Sequence, residues 1–245
     1  MFDRNIDYPR AVASSDDQGI DAAITWCASK VENGQVISVW TPLKSNLRGN
    51  AKLEQFVNRY RDVEHITGRG FSMPAGRGPV LMAWPRMDGI GELLRHGQGI
   101  TALCVISWNE DEIRPWVTAV RPEILGDGSA WDTLTEPLDP VVVEALKSLT
   151  LTINHNNTIA AGYEKDDVVS MLLLLRDSGI PMDGPAMEGW ALAHGWSGDN
   201  PARLAKYVDD INAGKRPRVR RQGLRADYID VLRTKAASAA AEPAD

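Results

Sequence analysis

The chain is poor in the residues that most often announce chemistry. It has two cysteines and four histidines in 245 residues. Two thiols make neither a zinc knuckle nor a disulfide framework, and Cys27 and Cys104 both fall inside apolar patterns, so each reads as a buried free thiol. His65, His96, His155 and His194 are scattered, with no pair at metal-binding spacing, so no metal is expected. No GxSxG nucleophile turn occurs, and neither GxxxxGK with a following Ser or Thr nor GxGxxG follows a strand. These absences lean away from an enzyme, and no cofactor is expected. No apolar run approaches the roughly 18 residues of a membrane span. The first 19 residues are polar and acidic, without the apolar segment of a secretory signal. A cytoplasmic protein with no membrane partner is the simplest expectation.

What is present is an uneven distribution of charge. The net charge of −6 argues against uniform attraction to nucleic acid. Residues 1–139 hold 14 basic groups against 19 acidic ones. Residues 203–225, by contrast, hold eight basic groups against only Asp209 and Asp210. Such local asymmetry points to a polyanionic partner.

The fold class is read from hydrophobic periodicity. Residues 1–17 look like a flexible arm. Asp16, Asp17 and Asp21 load the start of an amphipathic helix that Gly34 closes. Strand patterns rich in β-branched and aromatic residues follow at 35–42, 63–67, 79–85 and 100–108. The last of these is nearly continuously apolar, as expected where both faces of a sheet are covered. Helical patterns occupy about 50–61, 86–99 and 112–120. Alternation of strand and helix predicts an α/β domain over 18–125 with a mostly parallel sheet. Three turn signals in 126–140 suggest a linker. A smaller all-helical domain is expected over 141–235, and the tail 236–245 reads as low-complexity and frayed.

Two regions offer candidate sites. Ligands of open α/β sheets sit at the carboxyl ends of strands. Those ends carry Lys44, Arg69, Gly70, Arg86, Asp88, Asn109 and Glu110, a set suited to a nucleotide or other small anion. The glycines at 68, 70, 76 and 78, with Arg69 and Arg77, would form an anion-binding nest, or else only a flexible connection.

The second region is helical. Asp166 or Asp167 is expected to cap a helix ending at Gly179; a second helix starts at Pro185, and a third follows Asp199 with Pro201 in its first turn. The last two suggest a helix-turn-helix-like unit, although the connection GWSGDN is longer than a compact turn. Arg203 and Lys206 would then face base edges or phosphates, while Lys215, Arg216, Arg218, Arg220 and Arg221 would grip a DNA or RNA backbone. Three functions stay open at this point: a nucleic-acid-binding or regulatory protein, a nucleotide-binding enzyme with its site at the strand ends, and a non-catalytic assembly component.

Overall fold

A computed structural model describes residues 7–68, 77–97, 99–131, 137–154, 157–220 and 223–241. Its first part is a six-stranded sheet, β1 (Arg10–Ser14), β2 (Ile37–Thr41), β3 (Val63–Thr67), β4 (Gly78–Ala83), β5 (Ile100–Ser107) and β6 (Glu123–Leu125), in the order β3-β2-β4-β5-β1-β6. Every pairing is parallel. Its helices are α1 (Asp17–Ser29), α2 (Lys44–Arg48), α3 (Ala51–Arg59), α4 (Met87–His96) and α5 (Glu110–Val120). The chain is therefore an α/β sheet part followed by a helical part.

Alternate strand residues feed two cores, because successive side chains of a strand point to opposite faces. Ala11, Ala13, Val39, Leu81, Cys104 and Ile106 meet Ile20, Trp26, Leu53 and Phe56 of α1 and α3. Val12, Trp40, Met82, Leu103 and Val105 meet Ile90, Leu93, Ile113 and Trp116 of α4 and α5. Cys27 and Cys104 are free and buried, as the apolar pattern implies, and burial pushes the Cys27 thiol well up.

Three expectations are corrected. The arm contains β1, whose short RAVAS segment has Ala11, Val12 and Ala13 fully buried between β5 and β6; its alanines carry no strong strand preference. The expected linker begins with a short 3₁₀ turn (Ser129–Trp131) whose Trp131 is buried in the second core. The frayed tail is helical through Ala241, with Ala236 buried; alanine is the strongest helix former.

The helical part comprises α6 (Pro140–Thr152), α7 (Gly162–Asp177), α8 (Gly184–Ala193), α9 (Asn200–Asn212) and α10 (Tyr228–Ala241). It has its own core, in which Leu146, Leu149, Val168, Leu172, Leu175, Trp196, Leu204 and Leu232 are almost wholly buried. It is also seated directly on α4 and α5. Gly189 of α8 lies so near Pro115 that an added Cβ would stand 2.3 Å from the Pro115 carbonyl. Gly198 N–H donates to the Gly91 carbonyl at 2.7 Å, and a Cβ on Gly91 would approach Gly198 O to 2.7 Å. Leu192 of α8 joins the sheet's second core. The two parts thus share buried contacts on one sheet face.

Candidate functional site

The carboxyl edge of the sheet places Lys44, Arg86, Asp88, Asn109 and Glu110 along one rim, since β2, β4 and β5 are neighbours in the sheet. Arg69 and Gly70 lie outside the described residues. The rim does not favour an anion. Arg86 Nε is held 2.7 Å from Glu112 Oε1. Asp88 accepts from the Gly89 N–H at 2.8 Å, and Glu110 and Asp111 occupy the first turn of α5. At the first strand the N-terminus of α1 is capped by the chain's own Asp16, which accepts from Gly19 N at 2.7 Å and from Ser14 Oγ at 2.7 Å. Those bonds hold the Asp16 carboxyl below its usual range. A phosphate there would meet a carboxylate where a phosphate-binding loop presents bare N–H groups.

Some features of this rim escaped the sequence reading. Trp84, just past β4, has φ of 57°, and Trp108, just past β5, is 64% exposed. Ser107 Oγ and Trp40 Nε1 are buried with no hydrogen-bond partner. Among the described residues, no group of three or more His, Cys, Asp or Glu is placed to hold a metal ion.

The basic segment behaves differently from a uniform positive face. Residues 140–245 hold 13 basic and 14 acidic groups, and most of the arginine-rich run is neutralised within the protein. Arg203 Nη2 lies 3.4 Å from Asp199, Lys206 Nζ 2.7 Å and Lys215 Nζ 2.6 Å from Asp210, and Arg216 Nη2 3.0 Å from Asp177. The paired lysines hold Asp210 below the usual carboxylate range. Nor does α9 stand clear as a recognition helix. It packs against α4, α7 and α8, Tyr207 Oη donates to the Ile159 carbonyl at 3.0 Å, and its exposed positions set Lys206 beside Asp209. The long connection before it serves docking onto Gly91, which a compact turn would not reach.

Arg218 and Arg220 remain. Lys215 to Arg220 form an extended strap, favoured by Pro217. Arg216 anchors it at Asp177, near the C-terminal end of α7, and Arg220 N–H donates to Asp166 Oδ2 at 3.3 Å near the other end. At 1.5 Å per residue those aspartates stand roughly 16 Å apart, a span that four extended residues and an arginine side chain cover. The strap therefore runs antiparallel to α7. Val219 packs toward the helical core, which turns Arg218 and Arg220 outward.

Helix α7 starts one turn earlier than its aspartates suggest. Ala161 is the N-cap and offers no side-chain acceptor, and Gly162 takes φ of 78°. Asp166 is instead buried and anchors the strap. The early start opens a cleft of about 280 Å³ lined by Ala160, Ala161, Gly162, Lys165, Asp166, Arg218 and Arg220. Among the described residues, Lys165, Arg218 and Arg220 have no ion-pair partner within 4 Å. Arg221 lies outside the described residues. The cleft thus joins three cations to the positive end of a 16-residue helix, a combination that favours a phosphate or similar anion. Lys165 was not singled out by sequence. It lies some 50 positions from the arginine run, and nothing local marks it.

Residues 138–233 match a family described only as a domain of unknown function, DUF1889. That match covers less than half of the chain, and it takes in α6 to α9, the strap and the start of α10. No curated protein and no solved structure matches.

Proposed function

We propose that the protein binds the phosphate backbone of nucleic acid in the cytoplasm, through the helical part. The observation that carries this reading is the convergence of Lys165, Arg218 and Arg220 on one cleft at the N-terminus of α7, while the neighbouring basic groups are tied to carboxylates. Backbone contacts of this kind read charge and spacing, not sequence. With about three phosphate contacts, the logarithm of affinity falls with the logarithm of salt at a slope of about −2 to −3. Binding is accordingly weak at physiological salt and measurable at low salt. The acidic α/β part keeps the rest of the surface from competing for the polymer.

The test is fluorescence anisotropy of labelled DNA and RNA oligonucleotides at low ionic strength, in which salt-sensitive binding is expected. No association of the unmodified protein with any oligonucleotide at the lowest salt overturns the reading.

A further inference from the structure

The phosphate cleft adjoins a second depression, of about 300 Å³, lined by Ser148, Leu149 and Thr152 of α6, Asp166, Asp167, Ser170 and Met171 of α7, and Leu224 and Tyr228 beyond the strap. Asp166 borders both. The two depressions differ in chemistry. The first is cationic, whereas the second has an apolar floor, Leu149 and Met171, a wall of half-exposed Leu224 and the Tyr228 ring, and a rim of hydroxyls and carboxylates. Tyr228 Oη and Ser148 Oγ lie 3.0 Å apart, which fixes the ring against α6.

Tyr163 stands at the junction. It is 67% exposed on the first turn of α7, next to Gly162 of the cationic cleft. Residues three, four and seven apart share one side of a helix. Tyr163 is therefore on the same side as Asp166, Asp167 and Ser170, one turn before them. A large exposed ring next to a three-cation cleft, continuing into an apolar groove rimmed by hydrogen-bonding groups, is the layout that binds unpaired bases: a charged seat for the backbone and a π-face for stacking.

We propose that this groove takes a nucleobase stacked on Tyr163, so that the ligand of the α7 cleft is single-stranded nucleic acid. The inference rests on the backbone-binding reading above and adds what that reading leaves open, namely the form of the polymer. Duplex bases are already stacked and cannot enter, whereas an unpaired strand can lay a phosphate on Lys165, Arg218 and Arg220 and turn a neighbouring base toward Tyr163. The rim carboxylates of Asp166 and Asp167 accept hydrogen bonds, which suits bases whose edges carry amino groups.

The experiment compares a single-stranded oligonucleotide with its duplex by anisotropy, using the full chain and three variants. Tyr163→Ala is expected to lose roughly 5- to 150-fold in single-strand affinity, the range for one base–aromatic stack, and so to collapse the preference for single strand over duplex. Tyr163→Phe is expected to retain that preference. Thr152→Trp, an uncharged substitution that fills the exposed end of the groove, is expected to act like Tyr163→Ala. Thermal unfolding of each variant confirms that the fold is kept, and Tyr163, being exposed, carries little of it. Equal affinity of the unmodified protein for single strand and duplex overturns the inference while leaving backbone binding intact. So does single-strand binding that Tyr163→Ala leaves unchanged. Absence of binding to either form overturns both.

Discussion

Gly189 of α8 lies against Pro115 of α5 so closely that a Cβ would come within 2.3 Å of the Pro115 carbonyl carbon and oxygen and 2.8 Å of Trp116 N. The helical part is seated backbone to backbone on the sheet part, and only glycine permits that approach. Gly189→Ala is therefore expected to destabilise the protein by about 1–3 kcal/mol, the usual cost of overpacking. For a chain of this size that is a fall in Tm of roughly 2–12 °C. Calorimetry checks it, and an unchanged Tm would show the contact to be slack.

Trp116 extends the same interface. It is 2% exposed, within the core that joins α4, α5, the inner sheet face and Leu192 of α8. Trp116→Ala is expected to cost about 3–5 kcal/mol, measured by denaturant unfolding. Because its surroundings include α8, a single cooperative transition that moves as a whole is expected; two separated transitions would show that the parts unfold independently.

The seam also sets a pH dependence. Burial raises the carboxyl of Glu188, with Asp88 on α4 and Asp209 on α9 adding to the rise. A raised carboxyl means that the folded protein holds a proton that the unfolded chain releases. The stability tied to protonated Glu188 is full below about pH 4.5 and is lost as pH rises through the higher folded value. Glu188→Gln, neutral throughout, is expected to be more stable than the unmodified protein at pH 7 and equally stable near pH 4. His194 acts with the opposite slope. It stacks on Trp190 at 3.7 Å, its Nδ1–H donates to the Trp190 carbonyl at 2.8 Å, and burial lowers its pKa. Its contribution is therefore lost as pH falls through the ordinary histidine range, near pH 6.5. Thermal melts of both forms across pH 4 to 8 test these signs; Glu188→Gln less stable at pH 7 would contradict the first.

How legible this was in the sequence depended on whether the signal was local. β3 coincides with the VEHIT segment, and β2 and β5 fall inside their β-branched runs, because buried parallel strands carry continuous apolar residues. β1 and β6 lacked that density: RAVAS and EIL are short and form strands only because parallel neighbours supply their hydrogen bonds. The alanine-rich end of α10 looked like low complexity, although Leu232 and Ala236 bury one face of it. The arginine run was visible at once. Its neutralisation was not, because Asp177 is 39 positions from its partner Arg216, and no spacing rule connects them. For the same reason Lys165 and Tyr163 became legible only when the strap was seen to lie along α7.

Asp166 ties the strap to that helix. Asp166→Asn retains an oxygen able to accept from Arg220 N–H and is expected to keep the strap in place. Asp166→Leu removes the acceptor and is expected to speed amide exchange at Arg220, read by hydrogen exchange, and to weaken oligonucleotide binding several-fold. Equal exchange in both variants would show that the strap is held elsewhere.

The central claim is that the unpaired cations of the α7 cleft, and not the arginine run as a whole, hold the polymer. It is tested most directly by anisotropy titrations from about 50 to 200 mM salt on two charge-reversed variants. One replaces Lys165, Arg218 and Arg220 by Glu, and the other replaces Lys206, Lys215 and Arg216 by Glu. The account predicts that the first loses measurable binding and the second keeps most of its affinity, with a salt slope of about −2 to −3. Loss of binding in the second variant with retention in the first would contradict it.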